Sequence, residues 1–443
     1  MAASLGPNIT KDSLLVSLDA ADRNSFLKYS LINMSTWTTG TGGVAGYTPN
    51  QSAATENQRF SGTNPWGETS IIWGSFPSGD GEADGGWVTY ADYSIDKSKM
   101  YRFSVWARRT SSTTGGTAYL GCTSWDAGQY IKRTTDSVDE SNPYWYYNNI
   151  ANFTQNVWYL IVGHLYPFDT TFTGRHPDSG LYNVGSVEKV ADIGGNTGGG
   201  DFKFAPTSTY LFQRVFHYYC GDNTSRLQWY DPRIDLVDGT EPSIYELVNR
   251  SPIQLKDITG NQKNATLVNG PTFTNTNGGV ITFSGTNYAI ITSPISLSEY
   301  TFSFFCKWIS NVAVGDRIFG SDAFGTYTVY YPSNVGFHYN PISAPGTTTT
   351  IYSNVNIGFG QWCHITVSVS TISPLAIIYI NGIARNSSTD IPSGNLVGNL
   401  YLGAQNTLYG SNCNVANFNL YSNVLSPSEI LENYKTAKSR FGL

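Results

Sequence analysis

The feature that most constrains this chain is a period-two alternation of apolar residues, repeated along most of its length. In "MYRFSVWARR", Tyr101, Phe103, Val105 and Ala107 fall on one side of an extended strand. "VWYLIVGHLY" is almost continuously apolar, as a strand buried on both faces should be, and "TYLFQRVFHYYC" and "RLQWYDPRIDLV" read alike. Gly-rich stretches ("GDGEADGG", "TGGT", "GGNTGGGD") separate these runs. A chain patterned this way can bury its apolar faces only by stacking antiparallel sheets, so the expected class is all-β. At 443 residues it exceeds one typical core, and two or more domains follow.

The second half carries shorter, more regular strands: "GGVITFSG", "NYAIITS", "YTFSFFCKW", "DRIFGS", "TYTVYY", "QWCHITVSVS", "LAIIYINGIARN", "NLYLGA" and "CNVANFNLYS". Asn381-Gly382 sits between two alternating runs and predicts a type I′ hairpin, whose two central residues both need positive φ. One helix is legible over 427–439. Ser426 is its N-cap, Pro427 takes the first position, and Glu429 closes a capping box. Ile430, Leu431, Tyr434 and Ala437 share one face, and Lys435, Lys438 and Arg440 lie toward the negative end of the helix dipole.

Composition excludes several function classes. Only 13% of residues are charged, against roughly 25% for an average soluble domain. The net charge of −6, with no long basic run, argues against nucleic-acid binding. Nothing is long and apolar enough to span a membrane, and "MAASLGPNITK" lacks the apolar core of a signal peptide. Five cysteines without close spacing (Cys122, Cys220, Cys306, Cys363, Cys413) are neither a disulfide framework nor a zinc site. Cys306 shares a face with Phe302, Phe304 and Trp308, which marks it as a core residue.

Two stretches read as halves of one unit. "LLVSLDAADRNSF" (14–26) is a strand running into a polar corner, and "DITGNQKNATLVNGPTF" (257–273) is the turn-rich continuation, more than two hundred residues later. With "FSGTNYAII", "YTFSFFCKW", "QWCHITVSVSTISPLAIIYINGI", "LYLGA" and "LSPSEILENYKTAKSRFGL", this ordered set resembles the laminin-G-like, concanavalin-A-like sandwiches of tailed-bacteriophage structural proteins. The resemblance implies a domain interrupted by an insertion, which an exposed loop with neighbouring ends tolerates. The insertion is similar, through "DGGWVTYADYSIDKSKMYRFSVWAR" and "YDPRIDLVDGTEP", to the jelly-roll, carbohydrate-binding-module-like domains of phage tail and fibre proteins. The expected organisation is a docking arm at 1–11, a first strand at 12–25, an inserted jelly roll at 26–248, and a laminin-G-like sandwich with the helix at 249–443. The other reading of Leu14–Ala20 is that it simply begins the first domain.

Residues that could carry chemistry are few. No HExxH, GxSxG or Cys/His metal spacing occurs. His164 and His217 sit in core-like strands, and His364 is expected to face solvent. Asp80, Glu82 and Asp84 lie in a Gly-rich loop and read as solvated charges, as do Asp139 and Glu140; a glycosidase would need two carboxylates across a groove. The resemblance leaves a structural Ca2+ open through Asp235 and Asp238, with no ligand set assigned. The ligand-binding candidates are the rings of "NPYWYYNN" (Tyr144, Trp145, Tyr146, Tyr147) together with Trp66 and Trp73. Aromatic faces stack on sugar rings, and one strand cannot bury four consecutive rings; the alternative is a half-core, half-subunit contact. The expectation is a non-enzymatic virion protein on the particle surface, assembled in the host cytoplasm as a homotrimer. Its expected partners are other virion proteins and host-surface glycans. A polysaccharide hydrolase or lyase and a cellular lectin or adhesin are the alternatives.

Overall fold

The computed structural model describes residues 9–22, 25–27, 30–49, 51–89, 95–123, 131–193, 195–274, 276–310, 316–321, 327–331, 334–339, 349–371, 376–390, 395–405, 407 and 410–443. The chain forms two compact units, 28–252 and the combination of 1–27 with 253–443. Both are β-sandwiches, so the fold class is all-β.

The discontinuous sandwich is held together by its first strand. Leu14–Asp19 pairs antiparallel with Asn412–Tyr421, with Val16 opposite Leu420 and Leu18 opposite Phe418. The split motif has a local cause. Asp257, which opens the turn after the insertion, accepts the Ser17 N–H at 3.0 Å through Oδ1, and its carboxylate also takes the Thr259 and Lys263 N–H groups. One carboxylate therefore fixes both halves of the motif, and the sequence between them is free to leave the sheet. Phe26 belongs here as well: it bridges to Leu255 and stacks on Phe273 at 4.7 Å. The insertion thus begins at 28, not 26, and ends at 252.

In this sandwich Tyr300–Ser310 lies between Asn412–Tyr421 and Cys363–Val369. The alternation of "YTFSFFCKW" sends Phe302, Phe304, Cys306 and Trp308 into the core, where Phe302 meets Phe319 of the facing sheet at 4.3 Å. The Asn381-Gly382 hairpin forms with φ of 54° and 75°. The helix is α over Pro427–Ala437 and tightens to a 3-10 turn at Lys438–Phe441, so the expected single helix to 439 changes type near its end. Ser426, Pro427 and Glu429 cap it as read. Its buried face includes Asn433, which the apolar pattern passed over: Asn433 donates to the Tyr421 hydroxyl and accepts the Thr10 N–H. Residues 1–8 of the expected docking arm lie outside the described residues.

The inserted sandwich faces a long sheet centred on Met100–Arg109 against a five-stranded sheet. The five strands run in the order Tyr144–Asn149, Thr117–Thr123, Phe212–Tyr218, Ala83–Thr89 and Tyr47–Thr48. Between the sheets Trp37, Trp73 and Trp87 pack mutually at 5.1–5.5 Å, and Trp229 closes on Trp87 at 6.3 Å. Four indoles in one core explain why none of the described Trp side chains is exposed, Trp-rich as the sequence is. A short helix, Ile244–Asn249, capped by Ser243 and Glu246, was not read from the sequence.

Candidate functional site

The outer face of the five-stranded sheet carries a platform of rings. It forms because a bulge breaks the alternation of "YWYY": the register with Thr117–Thr123 shifts between Tyr144 and Tyr146. Trp145 and Tyr146 both turn inward, while Tyr144 and Tyr147 stay outside. Tyr147 stands opposite Tyr119 and stacks on it at 4.9 Å with the rings 15° apart. Tyr119 also meets Tyr144 at 4.7 Å and Tyr218 at 5.8 Å. On the next strand Phe216 lies opposite Tyr119 and packs edge-on to Tyr218. Tyr219 extends the cluster at the strand end and is 62% exposed; Tyr147 is 49% exposed.

Gly121 makes the centre possible. A Cβ there would come within 2.5 Å of the Tyr144 ring and 2.3 Å of the Pro143 carbonyl, so only glycine lets that ring lie flat across the sheet. Arg214, opposite Gly121, fills the adjoining space with its guanidinium 4.8 Å from the Tyr144 ring and 5.1 Å from Phe216, and donates to Asn142. Burial pushes the Tyr144 phenol up to about 12, against the opposing pull of Arg214. Burial, then the neighbouring phenols of Tyr147, Tyr219 and Tyr144, raises Tyr119 further still. The face is therefore apolar in its rings, hydroxylated at its rim and cationic at one point.

Several sequence-based assignments change. Trp145 is 0% and Tyr146 2% exposed; Trp145 packs on Phe103 and donates its indole N–H to the His164 carbonyl. Trp73 is likewise buried, its N–H on Asn57. These three rings belong to the core and drop out as ligand contacts, because the bulge and the indole cluster turn them inward. Trp66 is half-buried, edge-on to Trp106 and bonded to the Val248 carbonyl, away from the platform strands. Tyr119, Arg214, Phe216 and Tyr218 were missed. The doubled "YY" at the end of "VFHYYC" carried the signal, since a strand cannot bury both neighbours.

Asp235 does not offer itself to a metal. It is buried between Arg102 and Arg233, each at 2.8 Å, and these charges together with their hydrogen bonds hold its carboxyl below the usual range despite burial. Asp238 is exposed, beyond the strand end, with its Oδ1 on the Thr240 N–H. His364 is not at the surface: it is 2% exposed, tilted over Phe305 at 4.5 Å, with burial pushing it down to about 3. The Asp80–Asp84 loop is not uniformly solvated either, because Asp84 is fully buried.

His164, Ser179 and Asp201 come together in the insertion, a grouping invisible in sequence. Ser179 Oγ contacts His164 Nδ1 at 2.8 Å and donates to Asp201. Here the serine bridges the histidine and the carboxylate, whereas a nucleophilic triad needs the histidine in the middle. All three are buried. Asp201 also accepts the His164 and His176 N–H groups, so the cluster braces strand and loop. All five cysteines are unpaired and buried.

Residues 283–431 match the family described as the concanavalin A-like lectin/glucanases superfamily. The discontinuous unit is thus a concanavalin A-like, laminin-G-type sandwich. Among solved structures, the chain is similar to the receptor-binding domain of botulinum neurotoxin type G, at 16% identity over 42% of this chain and 49% of that one, with a TM-score of 0.33. It is also similar to domain 4 of AbnA, a GH43 extracellular arabinanase from Geobacillus stearothermophilus solved with arabinotriose, at 19% identity over 40% and 91%, TM-score 0.33. A third is the binding domain of Paraclostridial Mosquitocidal Protein 1, at 17% identity over 42% and 50%, TM-score 0.35. The chain spans about half the length of the two toxin domains. No curated protein sequence matches.

Proposed function

We propose that this chain is a non-catalytic, glycan-binding structural protein of a tailed-phage particle, and that the ring platform is its contact surface. The observation that carries the reading is the platform itself: Tyr119, Tyr144, Tyr147 and Tyr218 on one outer face, rimmed by exposed Tyr219 and with the Arg214 guanidinium against the Tyr144 ring. Stacked rings that carry hydroxyls suit the apolar face and the hydroxyl edge of a sugar. Glycoside hydrolysis needs two carboxylates across the bound sugar, and the groups facing one another here are phenols and an arginine, which favours holding a glycan. The lectin-type sandwich supports the glycan part of this reading, and the particle assignment rests on the resemblance of the ordered motifs of the second half to phage structural proteins.

The test is binding of the full chain to bacterial surface polysaccharides by calorimetry, with Tyr147→Ala and Tyr219→Ala. Each lost ring should weaken binding roughly threefold to tenfold. If both variants bind as wild type, or if they instead lose a protein partner while no polysaccharide binds, the platform is not a glycan site. Release of reducing sugar, abolished by one carboxylate substitution, would overturn the non-catalytic assignment. We propose that the protein sits on the particle surface as a homotrimer, a closed assembly of the three-fold kind that the resemblance to phage appendages implies. Light scattering showing a strict monomer at micromolar concentration, or purified particles lacking the chain, would refute this part. Particles that incorporate a variant lacking residues 1–11 at full copy number would place the attachment elsewhere than the arm.

A further inference from the structure

Three carboxylates converge in the insertion at a place that has no part in the platform's rings. Glu56 ends a short 3-10 turn before the strand Asn57–Thr63, Asp80 lies in the Gly-rich loop, and Asp84 is on the strand Ala83–Thr89. One carboxylate oxygen from each lies within 4.8 Å of the others. Glu56 and Asp84 are buried, and Asp80 opens to solvent.

Such a cluster alone would be unremarkable on a surface. Here the deepest member is unsatisfied. Asp84 is 0% exposed; its Oδ2 accepts the Cys220 N–H at 2.8 Å, but its Oδ1 is buried without any hydrogen-bond partner. A buried carboxylate oxygen with no donor costs several kcal/mol unless something positive meets it. Among the described residues no Lys or Arg pairs with it. Instead its charged neighbours are Glu56 and Asp80, both of its own sign.

We propose that Glu56, Asp80 and Asp84 form a Ca2+ site. Ca2+ takes oxygen ligands at about 2.3–2.6 Å, so oxygens on opposite sides of the ion stand about 4.6–5.2 Å apart. Three oxygens within 4.8 Å of one another leave an ion between them at most about 2.8 Å from each, so small side-chain rotations bring all three to bonding distance. Mg2+ holds opposite oxygens only about 4.2 Å apart and keeps most of its waters, so it fits less well. Three protein oxygens leave the remaining positions to water, entering on the open Asp80 side. The ligands are already held in place: Glu56 accepts the Ala53 and Ser78 N–H groups, and Asp80 Oδ1 accepts the Glu82 N–H. The ion would join the turn before one strand to the loop before another. The same loop grips the backbone beyond the platform, where the Glu82 carbonyl takes the Tyr219 N–H and Asp84 takes that of Cys220.

The test uses the full chain, stripped with EDTA and titrated with Ca2+, Mg2+ or luminescent Tb3+, and its readouts involve no glycan. Ca2+ at a hundred times its Kd should raise the Tm by about 5–10 °C. Asp80→Asn, at an exposed position that leaves the fold intact, should weaken Ca2+ and Tb3+ binding at least tenfold. Asp84→Asn gives an independent check: it should melt at or above wild type in EDTA, where it removes repulsion, and below wild type in Ca2+. The site is refuted by an unchanged Tm up to about 10 mM Ca2+, tenfold above the weakest affinities of extracellular Ca2+ modules. It is equally refuted by wild-type binding in both variants, or by Mg2+ binding as tightly as Ca2+.

Discussion

Replacing His364 with Phe should remove a defined part of the protein's acid sensitivity. His364 is buried in the concanavalin A-like sandwich, over Phe305 and alongside Tyr434 at 5.9 Å, with its Nδ1 lacking a partner. Burial alone pushes it down to about 3, and no charged neighbour contributes. In the unfolded chain the imidazole titrates near ~6.5. The folded pKa is thus the lower one. The stability tied to the neutral ring is complete above ~6.5 and is lost progressively as the pH falls, until the folded ring itself protonates near 3. At about pH 5 the unfolded state carries nearly one extra proton, worth ~1.36 kcal/mol for each of ~1.5 pH units, or ~2 kcal/mol. Phe keeps the ring stacking and removes both the proton and the orphan nitrogen, so at about pH 7.5 the variant should be as stable as wild type or more so. Urea denaturation at about pH 7.5, 6 and 5 reads the difference between the two proteins, in which all other titrating groups cancel. Wild type should fall ~2 kcal/mol further than His364→Phe by pH 5. Parallel pH profiles, or a His364 resonance titrating near 6.5, would refute the argument.

Other perturbations separate core from surface. Trp145→Ala should cost ~3–5 kcal/mol by opening a cavity beneath the platform, whereas Tyr147→Ala should cost under ~1 kcal/mol; equal losses in thermal melts would contradict the bulge that splits this run. Asp235→Ala strips the buried Arg102 and Arg233 of their shared anion and should cost ~3–5 kcal/mol by chemical denaturation. A loss below ~1 kcal/mol would mean the network is solvated. Leu18→Ala should destabilise by ~2–5 kcal/mol. Hydrogen exchange should show the loss in Asn412–Tyr421, its partner strand; a loss confined to residues 30–248 would refute the discontinuous sandwich.

Local periodicity was enough to read the strands, because side chains alternate in and out of any two-sided sheet whatever it packs against. The same holds for the Asn381-Gly382 hairpin and the Ser426 cap, whose geometry is set by a few adjacent residues. The split between "LDAA" and "DITGN" was also visible, since the second stretch keeps Asp257, Thr259 and Asn261, whose side chains bond to the backbone of Leu15 and Ser17. What sequence could not decide was which face of a strand meets solvent when alternation fails. "YWYY" offers four similar rings, and only the bulge against Thr117–Thr123 sends Trp145 and Tyr146 inward and Tyr144 and Tyr147 outward. The same limit hid His364, placed by a helix some sixty residues away, and Asp84, which reads as a loop charge until Glu56 is folded beside it. Burial and charge proximity are properties of contacts distant in sequence; a pattern of period two records that a side chain faces one way, and tertiary packing alone determines what it faces.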